Sequence, residues 1–204
     1  MATITPTTPT HADVIATAAL ARGDVSVTTR DWRTKWKGIM NVRLGRTGTA
    51  ALTNGVACII RPAPNNNAYG HPGPVWQAQS LTAAANSTTV DTDSNSGQKT
   101  LQVAAITGYA AGDVIIIGGG TAREEWARVS KTVSGTVDLV LDRDLQFTHT
   151  AAQADTVRNK GDAWTVELPG SCVWEVVLDY GDDAAGDSVR VHVSEETVDS
   201  VTST

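Results

Sequence analysis

The chain is poor in cysteine, the residue that stabilises small disulfide-rich and metal-bound domains. Its two cysteines, Cys58 and Cys172, are far apart, and each lies in an apolar, strand-like run. Two cysteines do not make a disulfide framework, and this separation lacks the spacing of metal ligands. We interpret both as small buried hydrophobic residues. A disulfide between them is the alternative if the fold pairs their strands.

Aromatic residues and long apolar runs are also scarce. One Phe and three Tyr occur beside six Trp, so we expect a core of Val, Ile, Leu and Ala with a few Trp anchors. The apolar runs, such as residues 114–117, are strand-sized and far below the ~20 residues of a membrane helix. The first residues have neither the basic nor the apolar region of a signal peptide. We expect no membrane segment, and synthesis and folding in a cytoplasm.

Sequence motifs for catalysis are missing. Neither a G-x-S-x-G nucleophile elbow nor a phosphate-binding P-loop occurs. The four histidines lack metal-site spacing, and His149 is interpreted as a hydrogen-bonding residue of a loop. Glu124 and Glu125 are adjacent, so on a strand their carboxylates point to opposite faces. The sequence therefore predicts a protein that is not an enzyme and has no cofactor.

One polar turn resembles a calcium-binding loop. Asp91, Asp93 and Asn95 place oxygen atoms at alternate positions, as a hard cation requires. The following glycine comes one residue late, and Gln102 stands where the loop needs a glutamate. We therefore interpret the segment as a solvated turn and predict no metal site.

Hydrophobic patterning predicts an all-β fold. Residues 36–44 alternate between apolar and polar positions, and residues 56–60 are continuously apolar. Residues 99–157 contain short strands at intervals of about 8–12 residues, separated by turns. Residues 172–180 and 188–193 are predicted to form a hairpin. The Ala-rich residues 11–22 are the one helix candidate, with Gly23 as its stop.

We predict a discontinuous β-sandwich interrupted by an inserted domain. Residues 1–24 would form an extended Thr/Pro-rich arm that includes the short helix. Residues 25–79 and 161–204 would form the sandwich, and residues 80–160 a small β-barrel-like insertion. The sandwich and the insertion would each have a core of their own.

Positive charge is concentrated near the start of the chain. Residues 1–80 have a net charge of +5 and residues 81–204 a net charge of −11. This asymmetry indicates that one end faces an acidic partner, although a solvated strand face would explain it equally well. Overall acidity argues against nucleic acid, despite the two Trp nearby. The candidate partner-binding residues are Arg30, Trp32, Arg33, Lys35, Trp36, Lys37, Arg43 and Arg46.

Several motifs together resemble a β-module common in phage particle proteins. They are a G-D-V-I strand at residues 112–115, an E-x-x-R-V strand at residues 125–129, an L-D-x-x-L segment at residues 141–145, and His149 in a turn. The resemblance covers about a quarter of the chain. It implies a virion structural component of a tailed phage and assigns no catalytic residue.

The leading hypothesis is therefore a capsid decoration protein on the outer shell. It would bind the major capsid protein through the arm and the basic segment, in symmetric copies that contact one another. The alternatives are a neck, tail or baseplate protein, and a carbohydrate-binding module that uses Tyr69, Trp76 or Trp126 for stacking. A hydrolase is a further alternative, which no motif favours.

Overall fold

The computed structural model describes residues 10–20, 24–49, 51–52, 54–63, 76–133, 136–170, 172–181 and 189–199. These residues form thirteen strands and one 3₁₀ turn, Ala151–Gln153, without an α-helix. This confirms the all-β prediction. The strands are β1 Thr10–Leu20, β2 Val25–Asp31, β3 Lys35–Arg46, β4 Val56–Pro62, β5 Trp76–Ser80, β6 Ser87–Thr89, β7 Thr100–Gln102, β8 Val114–Ile117, β9 Glu125–Thr132, β10 Asp138–Leu141, β11 Thr156–Pro169, β12 Val173–Tyr180 and β13 Val189–Asp199.

Two antiparallel sheets enclose the first core. The larger sheet has the order β1-β13-β3-β11-β8-β9-β10-β7, and the smaller has the order β2-β12-β4-β5. Met40, Val42 and Leu44 of β3 are fully buried and share a core with Cys58 of β4. The alternation predicted for β3 is thus confirmed from Gly38 onward, whereas Trp36 lies exposed at the end of the strand.

The predicted hairpin of residues 172–193 is wrong. β12 lies between β2 and β4 in the smaller sheet, and β13 lies between β1 and β3 in the larger one. Both strands bury alternate side chains in the same core, but from opposite sides. Alternation reveals which face of a strand is buried and not which sheet contains it, so the sequence did not distinguish the two arrangements.

The two cysteines are both buried, and neither forms a disulfide. Cys58 lies on β4, and Cys172 immediately precedes β12. Burial raises the pKa of the Cys58 thiol to about 12. Although β4 and β12 pair, the partner of Cys58 in the register is Leu178, which explains why the fold does not bring the thiols together.

A second core lies beyond the sandwich. It is built by residues of β7 to β10, the start of β11 and nearby loops, including Leu101, Ile115, Val129 and Leu139. β6 pairs with β11, and the bridge Val90↔Val103 continues the hydrogen bonding toward β7. Hydrogen bonding thus links the strands around this core through β8, β9 and β10 on one side and through β6 on the other.

Strand β11 belongs to both cores. Its first residues pair with β6 and β8, and its later residues, from Asp162 onward, pair with β3. A register shift in the pairing with β8, between Arg158 and Gly161, comes just before the change of partner, and Lys160 within it has a φ of 60°. A Cβ at Gly161 would lie 2.8 Å from the Leu44 carbonyl oxygen, so this crossing requires glycine. The predicted boundary between residues 160 and 161 falls within this uninterrupted strand, and the inserted barrel stays a prediction.

The predicted N-terminal helix is wrong, because residues 10–20 form β1. This strand pairs with β13 from Thr10↔Thr197 to Leu20↔Val189, with two register shifts. Val14 and Ile15 pack against the first core. Alanine favours a helix by only a few tenths of a kcal/mol per residue, less than this pairing and packing contribute. Residues 1–9 of the predicted arm lie outside the described residues.

Candidate functional site

The eight candidate partner-binding residues do not form one surface. Trp32 is almost completely buried, and its indole Nε1 donates to Glu195 Oε2 at 2.7 Å. The Arg30 guanidinium forms an ion pair with the same carboxylate. Trp32 also packs edge-on against Trp174, with ring centroids 6.4 Å apart. Trp32 is therefore a core residue, and Arg30 contacts the same carboxylate that accepts the hydrogen bond of its indole.

Two more of the arginines are paired within the chain. Arg46 is buried, and its Nη1 donates to the carbonyl oxygen of Ala83 at 2.7 Å. Arg33 is exposed, and its Nη2 lies 2.6 Å from Asp31 Oδ2. The hydrogen bonds from Arg33 lower the pKa of Asp31 to about 2. The positive charge that the sequence concentrates in residues 30–46 is therefore partly neutralised by local partners.

Trp36 and Lys37 are the exposed residues of the candidate set that lie together. The Trp36 side chain is 53% exposed, and Lys37 Nζ lies 5.1 Å from its ring centroid. Lys35, at the start of the same strand, is half-buried and has partners of its own. A shallow, largely apolar groove of about 450 Å³ begins at Lys37. We call this region the Trp36 surface; it consists of Trp36, Lys37, Ile39, Glu167, Leu168, Pro169, Glu196 and Val198.

Arg43 lies elsewhere, on the outer face of β3 opposite the sandwich core. It lines a different groove, together with Arg143 from the turn after β10. Burial lowers the pKa of Arg43, the charge of Arg143 lowers it further, and Asp142 opposes both effects. The candidate set is thus divided among the core, the Trp36 surface and this second groove.

A chain of buried ionisable groups lies beside the second core. His149 is completely buried, with Nε2 2.8 Å from Glu125 Oε1 and Nδ1 2.8 Å from Asp155 Oδ2. Arg123 completes the chain through two hydrogen bonds to Asp155, of 3.0 and 2.9 Å. We call Arg123, Glu125, His149 and Asp155 the His149 network.

The pKa shifts in the His149 network favour its charged form. Burial disfavours the imidazolium, but hydrogen bonds with Glu125 and Asp155 outweigh it and raise the pKa of His149. Burial likewise opposes ionisation of Glu125, yet the His149 hydrogen bond and two backbone N–H groups lower its pKa. The pKa of Asp155 is lowered against burial by Arg123 and His149. Positive and negative groups therefore alternate along the network, in the order Arg123, Asp155, His149 and Glu125. Both imidazole nitrogens of His149 are hydrogen-bonded to carboxylates.

The other motif residues also connect parts of the backbone. Asp113 accepts hydrogen bonds from Lys160 Nζ and Asn159 Nδ2, both at 2.8 Å. Arg128 Nη1 donates to the carbonyl oxygen of Gly112 at 2.8 Å. These motif residues thus supply internal contacts around the second core.

The calcium-like loop lies at the surface. Asp91, Asp93 and Asn95 are exposed, and Asp93 Oδ1 accepts the N–H of Ala151 at 2.9 Å. Within the described part of the chain, no three His, Cys, Asp or Glu residues are grouped as metal ligands.

Of the proposed sugar platforms, Trp126 is buried. Trp76 packs edge-on against Trp164, with ring centroids 5.4 Å apart, and Tyr69 lies outside the described residues.

Sequence patterns do not reveal the His149 network as a unit. Glu125 stands out only as a member of an adjacent acid pair and His149 only as a loop residue, and no motif links the two. Asp155 carries no pattern in the sequence that marks it. Its pairing with His149 depends on how the 3₁₀ turn positions residue 155 just before β11.

Comparisons with family models, with curated proteins and with solved structures find no match. Among the described residues, no helix has the length and apolar character needed to span a bilayer.

Proposed function

We propose that the protein is a non-enzymatic structural component of a tailed-phage particle, most simply a capsid decoration protein. The observation that carries the docking part of this proposal is the Trp36 surface. An indole that is more than half exposed lies beside a lysine and at the edge of an apolar groove. Trp is the residue type most enriched at energetically dominant interface positions.

The chemistry of the Trp36 surface defines the partner. Burial of the exposed indole and of Ile39, Pro169 and Val198 requires an apolar contact on the partner. Around this apolar contact the chain offers one cation, Lys37, and two carboxylates, Glu167 and Glu196, so a fitting partner has charged groups of both signs around an apolar centre. A face of the major capsid protein with this pattern would fit, and repetition over a symmetric shell would multiply a modest affinity per site.

The non-enzymatic part of the proposal is supported by His149. Both of its ring nitrogens are engaged and its side chain is inaccessible to solvent. A general base must reach the proton it abstracts, so this imidazole is better suited to fixing the backbone than to catalysis. The virion assignment is supported by the resemblance of residues 112–149 to a phage module.

Binding to undecorated capsids tests the proposal. We expect wild-type protein to cosediment with capsids in hundreds of copies per particle, and Trp36→Ala to lose most of this binding, by about tenfold or more. Val27→Ala is the matched control, since Val27 is also 53% exposed but lies on the smaller sheet. Equal loss in both variants would contradict the assigned surface.

Other partners are distinguished by the same assay. A neck, tail or baseplate role predicts binding to isolated tails or connectors, at about a dozen copies or fewer, with no binding to capsid shells. Binding to a glycan array in place of either particle would instead identify a carbohydrate-binding module. Each of these results would overturn the decoration role.

A further inference from the structure

A cationic groove lies between the larger sheet and the second core. Its walls are the outer faces of β3 and β11 on one side, and β9 with the turn after β10 on the other. Three arginines line it, one from each of three elements: Arg43, Arg128 and Arg143. Only one acidic residue, Asp142, is among the described lining residues. The groove therefore has two more positive charges than negative ones.

Two of these guanidinium groups lack adequate partners. Within the described residues, the Arg43 guanidinium forms no hydrogen bond and no ion pair, although the residue is half-buried. Arg143 Nη2 lies 3.9 Å from Glu125 Oε2, and its buried Nε has no hydrogen-bond partner. Glu125 is already shared with His149. Buried N–H donors without acceptors are costly in a folded protein.

Mutual repulsion adds to this cost. Arg43 and Arg143 line the same groove, and burial, together with the charge of Arg143, lowers the pKa of Arg43. Asp142 offsets only part of this effect, and its Oδ1 also accepts the backbone N–H of Arg128 at 3.0 Å. Like-charged guanidinium groups that face one cavity are a usual arrangement for holding an oxyanion.

A neutral donor completes the groove. Thr165 Oγ1 donates to Asn41 Oδ1 at 2.8 Å, which leaves the amide nitrogen of Asn41 free to donate. Asn41 and Thr165 both line the groove beside Arg43. The volume, about 210 Å³, is below the ~300–1,000 Å³ of pockets for drug-sized ligands. A small ion fits this space better than a nucleotide.

We propose that this groove is a binding site for a free tetrahedral oxyanion, phosphate or sulfate, held between Arg43 and Arg143 with Asn41 as a third donor. A doubly charged oxyanion neutralises the excess charge of the groove. Its oxygens accept hydrogen bonds from planar guanidinium groups in bidentate fashion. The site is separate from the Trp36 surface, so its failure would leave the docking proposal unaffected.

Titration with sodium phosphate tests the site. At pH 7 and constant ionic strength, we expect phosphate to raise the unfolding midpoint of the wild type relative to chloride, because a ligand of the native state stabilises it. Arg43→Gln and Arg143→Gln should each weaken phosphate binding by about tenfold or more. Arg33→Gln, which alters an exposed arginine paired outside the groove, should bind phosphate like the wild type. Circular dichroism checks that all variants are folded.

Competing anions and crystal soaking test the same site. Sulfate should compete with phosphate, and soaked selenate should give an anomalous peak between Arg43 and Arg143. Equal phosphate effects in Arg43→Gln, Arg33→Gln and wild type would overturn the site. Acetate binding as tightly as phosphate would overturn the preference for a dianion. Adenosine monophosphate binding more tightly than phosphate would overturn the assignment to a free ion.

Discussion

His149 connects two segments that the chain separates by more than twenty residues. Its imidazole lies between Glu125 at the start of β9 and Asp155 just before β11. Removal of the imidazole would leave both carboxylates buried without their shared partner. A buried charge that loses its partner destabilises a protein strongly, so this residue matters more for stability than its position in a loop suggests.

We predict that His149→Leu lowers the free energy of unfolding by about 3–5 kcal/mol and flattens its dependence on pH. In the wild type, the raised pKa of His149 gives stability that is lost as the pH rises through that pKa. The lowered pKa values of Glu125 and Asp155 give stability that is lost as the pH falls through them. The contribution of the network is thus greatest between about pH 4.5 and 6.5, the ordinary range between carboxyl and imidazole groups.

Urea denaturation from pH 3 to 9 measures this profile. His192→Leu is the control, because His192 pairs with an exposed carboxylate, Asp13, at 3.1 Å. We expect that variant to lose less than about 1 kcal/mol. A His149→Leu profile that runs parallel to the wild type over the whole pH range would contradict the role given to the network.

The edge strand β1 has a composition that conflicts with its structure. Its Ala-rich composition favours a helix, and its two register shifts remove the simple alternation that marks a strand. Pairing with β13 is a long-range contact that no local pattern contains. By contrast, β3 and β4 have the alternation or the apolar run of ordinary buried strands, and they were predicted correctly.

We predict that Ile15→Lys detaches β1 from the sandwich and promotes self-association. Ile15 is half-buried, pairs with Val193 and packs on the first core. A lysine there would disfavour docking and expose the edge of β13, and exposed edges template further pairing. Size-exclusion chromatography over a range of concentrations should show larger species than for the wild type.

The neighbouring exposed position provides the control for β1. Ala16 is solvent-exposed, so Ala16→Lys adds the same charge to the same strand without burying it. This variant should elute like the wild type. If both variants elute unchanged, β1 is not what protects the edge of β13.

At the scale of the whole molecule, sequence patterning predicted the all-β class and much of the core composition. It did not predict how β11 serves two cores, because Gly161 and Lys160 carry no signal beyond a possible turn. The candidate partner-binding set was predicted as one patch, but charge counting cannot show that Arg46 and Trp32 point inward. The arginines of the cationic groove come from three separate elements, so only the tertiary fold brings them together.

We predict that the two cores unfold in one transition. Leu139→Ala, in the second core, should cost about 2–5 kcal/mol, since Leu139 is completely buried. Because both cores share β11, unfolding of the second core should also expose Cys58 and Cys172 in the first core. Their labelling should therefore begin at a lower urea concentration, and this shift should correspond to the same loss in the free energy of unfolding. The rate of thiol labelling with a chromogenic disulfide, measured across a urea series, reports this shift.

A sandwich variant provides the comparison for this coupling. Leu178→Ala removes an equally buried leucine from the first core and should shift thiol labelling to a similar extent. If Leu139→Ala unfolds the second core and leaves the thiols protected at the same urea concentration, the cores unfold independently and the shared strand does not couple them.

The continuity of β11 also has a mechanical consequence. Its fourteen residues span about 45 Å at the rise of an extended strand. A pull that separates the second core from the sandwich would act along this strand. Hydrogen bonds on both of its sides would then be loaded together in shear, and they would have to break collectively. We therefore expect the two cores to resist separation by force together, and not to behave as two domains joined by a flexible linker.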